Sequence, residues 1–153
     1  MGRTSPVRPL ALLGAVTVAA AFLLFACRAG TEPNLADISG TWRYTETFSD
    51  VAHSIRCDDV GTYTLLQAGA SFVGSYGQAG VCHTPQGDRY NNDSGAVTRG
   101  HVVGHTLRFS APNCEYDGSV DTDSGSSITG RVVCALSDPT QQLNFSGTWQ
   151  ASR

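Results

Sequence analysis

The chain has 153 residues, enough for one domain besides a targeting segment. It carries 13 acidic and 10 basic residues, a formal net charge of −3, and all of its basic residues other than histidine are arginines. This balance lacks the basic surface that nucleic acids or anionic lipids require, so we expect no nucleic-acid partner.

The first 26 residues are predicted to be an export signal. Arg3 and Arg8 precede an uncharged apolar run from Leu10 to Ala26, the arrangement of a secretory signal peptide. The run ends in Leu24-Phe25-Ala26-Cys27, which resembles the bacterial lipobox. That resemblance implies cleavage before Cys27 and attachment of a diacylglycerol to its sulfur. The alternative is an uncleaved transmembrane anchor, for which a run of 17 residues is at the short limit.

The rest of the chain divides into a flexible polar tether, residues 27–37, and a folded domain, residues 38–153. The lipobox resemblance implies a lipid-anchored protein of the bacterial cell envelope, outside the cytoplasm. Arg28 follows the lipidated position and favours the outer membrane by the enterobacterial sorting rule.

Four cysteines remain in the domain: Cys57, Cys82, Cys114 and Cys134. An even number in an exported chain implies two disulfides. No pair has the C-x-x-C spacing of a zinc site, so we expect no metal.

The domain contains five copies of the pattern apolar-x-Gly-x-apolar, which begin at Ile38, Phe72, Tyr116, Ile128 and Phe145. Because alternate residues of a strand share a face, the glycine and both apolar residues of each copy point the same way. Glycine within a strand is typical of sharply coiled sheets that close into small barrels. We predict eight antiparallel strands, approximately 38–48, 60–67, 71–78, 95–103, 105–110, 114–122, 127–136 and 142–151.

Hairpin register indicates the disulfide pairing. Placing Cys114 opposite Cys134 aligns two copies of the glycine pattern across one hairpin. Placing Cys57 opposite Cys82 sets apolar residues opposite apolar residues in another hairpin, around a turn at Gly69. Of the three possible connectivities, we therefore predict Cys57–Cys82 and Cys114–Cys134.

The four residues SGTW occur at both ends of the domain, as Ser39–Trp42 and Ser146–Trp149. A meander of eight strands has two edges that promote aggregation unless the sheet closes. We predict that the first and last strands pair antiparallel, with Trp42 across Gly147 and Trp149 across Gly40. Each indole would then cover a bare glycine of the other strand.

Gly40-Thr41-Trp42 on the first strand is similar to the lipocalin signature, and the meander that ends on a strand resembles avidin. Residues 35–42 also resemble the start of small periplasmic inhibitors of bacterial metalloproteases. These resemblances imply an all-β, eight-stranded antiparallel up-and-down barrel, closed at the Gly-x-Trp end and open at the other. The open end would carry the long connections 49–59 and 77–94, and the second is long enough to be functional or disordered.

An eight-stranded barrel is just wide enough to be filled by side chains or to hold one small ligand. The aromatic residues predicted to point inward either form the core or line an apolar pocket with tyrosine hydroxyls as orienting groups. The candidate ligand-binding residues are Trp42, Tyr44, Tyr63, Phe72, Tyr76, Tyr116 and Trp149. Asp58 and Asp59 are candidates for capping a strand or binding an ion at the mouth.

We find no motif of a known catalytic class, so we expect neither enzymatic activity nor a cofactor. The predicted function is binding of a small apolar molecule in the barrel, which requires a connected cavity of a few hundred Å³. The alternative is a filled barrel that binds an envelope protein through exposed apolar loop residues. As an inhibitor of a periplasmic protease, it would insert tether residues 28–37 into the protease cleft. A structural envelope protein without a specific ligand is a third hypothesis.

Overall fold

The computed structural model describes residues 34–138 and 141–153. The predicted signal peptide, the lipidation site Cys27 and most of the predicted tether lie outside the described residues. The described chain forms nine strands: β1 Gly40–Asp50, β2 Ile55–Ala68, β3 Ser71–Thr84, β4 Gly87–Tyr90, β5 Asp93–Val103, β6 Thr106–Ala111, β7 Cys114–Val120, β8 Ser127–Asp138 and β9 Gln141–Ser152. Over these ranges, no helix is long and apolar enough to cross a bilayer.

Eight of the strands close into a barrel. All neighbouring strands of the barrel pair antiparallel. β1 pairs with β2, β2 with β3, and β3 with β5, and the strands from β5 to β9 pair in chain order. The pairing of β1 with β9 closes the barrel. The predicted eight-stranded up-and-down barrel with joined first and last strands is therefore confirmed. The ninth strand, β4, lies outside the closed barrel and pairs with β3 in the described part of the chain.

Both predicted disulfides are confirmed. Cys57 is bonded to Cys82 across β2 and β3, and Cys114 to Cys134 across β7 and β8. The hairpin registers that led to this pairing are also the observed ones. Hairpin register was predictable because it follows from side-chain alternation on either side of a short turn.

The predicted register at the barrel seam is wrong. Gly147 lies opposite Phe48 rather than Trp42, and Trp149 lies opposite Glu46 rather than Gly40. Strands of a closed barrel tilt and stagger, so the offset between the first and last strand depends on the whole barrel. Sequence repetition at the two ends does not report that offset.

Aromatic rings do cover bare glycines, but with partners other than those predicted. A Cβ added to Gly130 would lie 2.5 Å from Nε1 of Trp149, and one added to Gly118 would lie 2.8 Å from Cζ2 of the same indole. Nε1 of Trp149 donates to the carbonyl oxygens of Asp117 and Arg131, at 3.1 and 3.2 Å. The indole of β9 is therefore seated across β7 and β8.

A cluster of rings fills the middle of the barrel. Tyr44 stacks on Tyr63 with ring centroids 4.2 Å apart, and Phe109 stacks on Tyr116 at 4.6 Å. Trp149 meets Tyr63, Phe109 and Tyr116 edge to face. Such aromatic pairs each stabilise the fold by about 1 kcal/mol beyond their burial.

The end of the barrel with the Gly-x-Trp residues is closed. Trp42 is fully buried and donates from Nε1 to the Ile38 carbonyl oxygen at 2.8 Å. The Arg153 guanidinium lies over the Trp42 ring, 4.6 Å from its centroid. Ala36, at the end of the predicted tether, is buried and donates its backbone N–H to the Gly104 carbonyl oxygen at 2.9 Å.

The long connections predicted at the open end are mostly strand. The turn between β1 and β2 occupies only residues 51–54, and β3 continues to Thr84 before the chain folds back as β4. The acidic pair at 58–59 and the glycine and alanine residues at 79–80 have low strand propensity, which hid these extensions in the sequence. The segment predicted to be functional or disordered is an ordered hairpin.

Candidate functional site

A cavity of about 130 Å³ lies inside the open end of the barrel. The rings of Phe48, Tyr76, Tyr116 and Phe145 line it together with both cystines. Its outer rim includes the exposed residues Asp93, Pro112, Asn113 and Leu136. The cavity is smaller than the few hundred Å³ expected for a ligand pocket, because the ring cluster below it occupies the middle of the barrel.

One wall of the cavity contains a buried carboxylate, Glu46 of β1. The side chain points inward because it continues the alternation of Trp42 and Tyr44, and the residue is 5% exposed. Its Oε2 accepts a hydrogen bond from the Tyr116 hydroxyl at 3.2 Å. Burial, and secondarily the charge of Asp59, raises the pKa of Glu46 to about 7.

A second buried carboxylate, Asp59 of β2, lies behind this wall and is 1% exposed. Its Oδ2 accepts hydrogen bonds from Nε2 of Gln78 at 3.1 Å and Nδ2 of Asn91 at 2.5 Å. Burial raises the pKa of Asp59 to about 6. Since Gln78 and Asn91 both line the cavity, Asp59 acts as a positioning residue for them.

The tyrosine hydroxyls extend this polar network. Tyr44 donates to Oε1 of Gln78 at 3.2 Å, and Tyr76 donates to Oδ2 of Asp93 at 2.6 Å. Burial raises the pKa of both phenols, so they remain neutral hydrogen-bond donors. The Tyr63 hydroxyl is buried and has no hydrogen-bond partner among the described residues.

The structure divides the seven predicted ligand-binding residues into two groups. Tyr76 and Tyr116 line the cavity. The other five are buried within the barrel and do not line it: Trp42, Tyr44, Tyr63, Phe72 and Trp149.

Sequence reasoning missed the polar half of the site. Glu46, Gln78 and Asn91 were not among the predicted residues. For Glu46 a signal existed, since it follows Trp42 and Tyr44 at the two-residue spacing of an inward face. The charge of its side chain argued against an inward position. Gln78 and Asn91 lie in the segment 77–94, which was predicted to be a loop and therefore gave no inward face.

A larger depression, about 620 Å³, lies on the outer surface of β5 to β8. Its polar lining includes Arg108 and Asp117, whose Nε and Oδ1 atoms are 2.6 Å apart and whose side chains are mostly exposed. Exposed ion pairs of this kind contribute little to the free energy of folding. The smaller cavity is the stronger candidate because it contains a buried charge.

Across the described residues, no group of three or more histidine, cysteine, aspartate or glutamate side chains is placed to hold a metal ion.

No protein-family model and no curated protein matches the sequence. Among solved structures, the chain is similar to the S-type phycobiliprotein lyase CPES from Guillardia theta, with 7% identity and a TM-score of 0.47 over 76% of this chain and 88% of that one. It is also similar to the siderocalin Ex-FABP, with 11% identity and a TM-score of 0.33 over 76% and 69% of the two chains. A third is kievitone hydratase from Nectria haematococca, with 12% identity and a TM-score of 0.37 over 78% of this chain and about half, 49%, of the hydratase. The strand pairing within the chain itself establishes the barrel.

Proposed function

We propose that this protein is a lipid-anchored, extracytoplasmic barrel that binds one small molecule in the cavity at its disulfide-bonded end. The observation that carries the proposal is Glu46, a buried carboxylate with one hydrogen bond that faces a cavity between aromatic rings. Burying a charged group without full pairing is costly. A binding role accounts for the presence of such a group in an interior that is otherwise aromatic.

The dimensions suit a compact ligand. A dry protein cavity of about 150 Å³ accommodates benzene, so about 130 Å³ holds a body of roughly six non-hydrogen atoms. Phe48 and Phe145 offer apolar contacts, and Glu46 and Gln78 offer polar ones. The ligand predicted from sequence was apolar; the ligand proposed here has an apolar body and one polar group.

The two disulfides support a preformed site. Both cystines line the cavity, and they join residues 25 and 20 positions apart. From loop-closure entropy, each crosslink stabilises the fold by about 3 kcal/mol. A mouth held in place by covalent bonds loses little freedom when a ligand enters, which favours binding.

The predicted lipid anchor at Cys27 is part of the proposal. The described chain begins at the closed end, where Ala36 and Ile38 are buried, so this segment leaves the mouth uncovered. Replacing the acylated residue, Cys27→Ser, is expected to move the protein from the membrane fraction to the soluble fraction of its host. Membrane association that survives the substitution would contradict lipidation at this residue.

Native mass spectrometry of the protein purified from its own host tests the binding function. We expect the wild-type chain to carry a co-purifying molecule. Ala111 lines the cavity and is buried, so Ala111→Phe should fill the cavity and remove that mass. Thr148 is exposed on the outer face, so Thr148→Phe is the matched control and should retain the mass. Absence of any bound molecule from wild type, before and after incubation with host extract, would overturn the proposal.

The rim supports a second candidate function, binding of an envelope protein. Val51 and Tyr90, both at the open end, are 84% and 88% exposed. A photo-crosslinking amino acid at position 90 should then yield one discrete adduct in the host envelope, and the same group at Gln150 on the outer wall should not. Equal labelling from both positions would contradict a specific protein partner.

A further inference from the structure

We propose that the ligand of this cavity is a small organic cation, a protonated amine or a quaternary ammonium, held between Glu46 and the surrounding aromatic rings. This inference rests on the proposed function, since it names the class of molecule that the same cavity binds.

The charge of the lining favours a cation. Two carboxylate residues line the cavity, Glu46 and Asp93, and its described lining contains no arginine or histidine side chain. A third carboxylate, Asp59, lies behind Gln78 and Asn91. Because charges interact strongly away from bulk water, this arrangement repels an anion and attracts a positive group.

Glu46 has an oxygen available for a ligand. Its Oε2 accepts from Tyr116, whereas Oε1 accepts no hydrogen bond from the described residues. The residue is more than nine-tenths buried and lines the cavity. A cation that enters would supply the missing partner of this carboxylate, either through an N–H donor or through charge alone.

The rings form the other half of the site. Phe48 and Phe145 meet edge to face, with centroids 5.4 Å apart and planes at 82°, so they form a corner. Tyr76 and Tyr116 line the same cavity. Ring faces attract cations electrostatically, and a set of rings around one small space is how proteins bind ammonium groups.

Proton exchange accompanies binding in this arrangement. The ionisable groups that surround Glu46 are acids and phenols: Tyr44 on β1, Asp59 and Tyr63 on β2, Tyr76 on β3, Asp93 on β5 and Tyr116 on β7. None of them supplies a positive charge. Since the pKa of Glu46 is about 7, its carboxyl is mostly protonated at pH 6 and mostly ionised at pH 8. A cation binds the ionised form, so its affinity should rise about tenfold over this range.

Three probes of similar size separate the ligand classes: tetramethylammonium, butylammonium and the neutral tert-butyl alcohol. Dissociation constants are measured by NMR titration of the tyrosine ring resonances of the mature chain in a non-ionic detergent. We expect both cations to bind wild type more tightly than the alcohol does, with about a tenfold gain from pH 6 to pH 8. Preference for butylammonium would indicate an N–H bond to Glu46, and equal binding would indicate ring contacts; both support a cation site.

Glu46→Gln keeps the shape of the side chain and removes its charge. At pH 8 we expect cation binding at least tenfold weaker than that of wild type, and we expect the tenfold gain between pH 6 and pH 8 to be lost. Glu115→Gln is the matched control, because Glu115 is exposed on the outer wall. Circular dichroism establishes that both variants are folded.

The outcomes distinguish the two levels of the proposal. If tert-butyl alcohol binds as tightly as the cations and Glu46→Gln has no effect, the ligand class is wrong and the binding function stands. If no probe binds and no molecule co-purifies from the host, the binding function itself is wrong.

Discussion

The two ends of the barrel are built from the same strands but differ in what lies inside them. At the closed end, Trp42 is fully buried and is capped by Ile38 and Arg153. At the open end, the same inward alternation places Glu46 and Asp59 inside, and the rings surround a cavity of about 130 Å³. The comparison indicates that aromatic packing stabilises the closed half, whereas the open half combines buried carboxyl groups, which cost stability, with two stabilising disulfides.

The largest expected effect is on stability and concerns the ring cluster in the middle of the barrel. Trp149→Ala removes the indole that spans Gly118 and Gly130 and contacts three other rings, so we expect a loss of about 4 kcal/mol in the free energy of unfolding. Urea denaturation measures it. Trp149→Phe keeps an aromatic ring there and should lose clearly less. A loss below about 1 kcal/mol would show that this cluster is not the main source of stability.

The second prediction concerns Glu46 at the open end and is a gain in the free energy of unfolding rather than a loss. The pKa of Glu46 is raised from 4.5 in an unfolded chain to about 7, so ionisation opposes folding. Wild-type stability from this group is fully present below pH 4.5 and is lost as the pH rises through 7. Glu46→Gln cannot ionise, so at pH 8 it should be more stable than wild type by up to about 3 kcal/mol.

The measurement is urea denaturation at pH 4.5, 6 and 8, and the advantage of Glu46→Gln should shrink towards the lowest pH. Asp59 also has a raised pKa, and its charge contributes to that of Glu46, so the difference between the two proteins includes the interaction of these two carboxyls. Glu115→Gln should follow the wild-type pH profile. If the stability of Glu46→Gln changed with pH as that of wild type does, Glu46 would not distinguish the open end from the closed end.

The smallest expected effect tests the cap of the closed end. Arg153 lies over Trp42 and donates to the backbone carbonyl oxygens of Ser39, Asp37 and Gly125. Because the side chain is largely exposed, Arg153→Ala should cost only about 1 kcal/mol. Arg131→Ala removes an exposed arginine from the outer wall and should be nearly neutral in thermal denaturation. Equal effects of the two substitutions would mean that Arg153 does not cap the barrel.

The differences between expectation and structure follow the range of the interactions involved. The pairing registers of both disulfide-bonded hairpins were predicted correctly, although the strand ends were not, because cysteine positions and alternation are read within about 25 residues. The pairing of β1 with β9 was also predicted, but not its register. The seam register, which places Trp149 opposite Glu46 rather than Gly40, depends on how the six barrel strands between β1 and β9 are staggered.

The sequence was sufficient to predict the eight barrel strands, their closure and the two disulfides, because alternation, glycine spacing and paired cysteines act locally or between neighbouring strands. It did not predict the extensions of β2 and β3 or the strand β4. That the ring cluster fills the middle of the barrel and leaves a cavity at one end was visible only in the folded structure. The folded structure also decided that Glu46 lies inside, beside Tyr116 of a distant strand. Side-chain alternation assigns a face of the sheet, whereas the space left on that face is set by the volumes of residues from every strand at once.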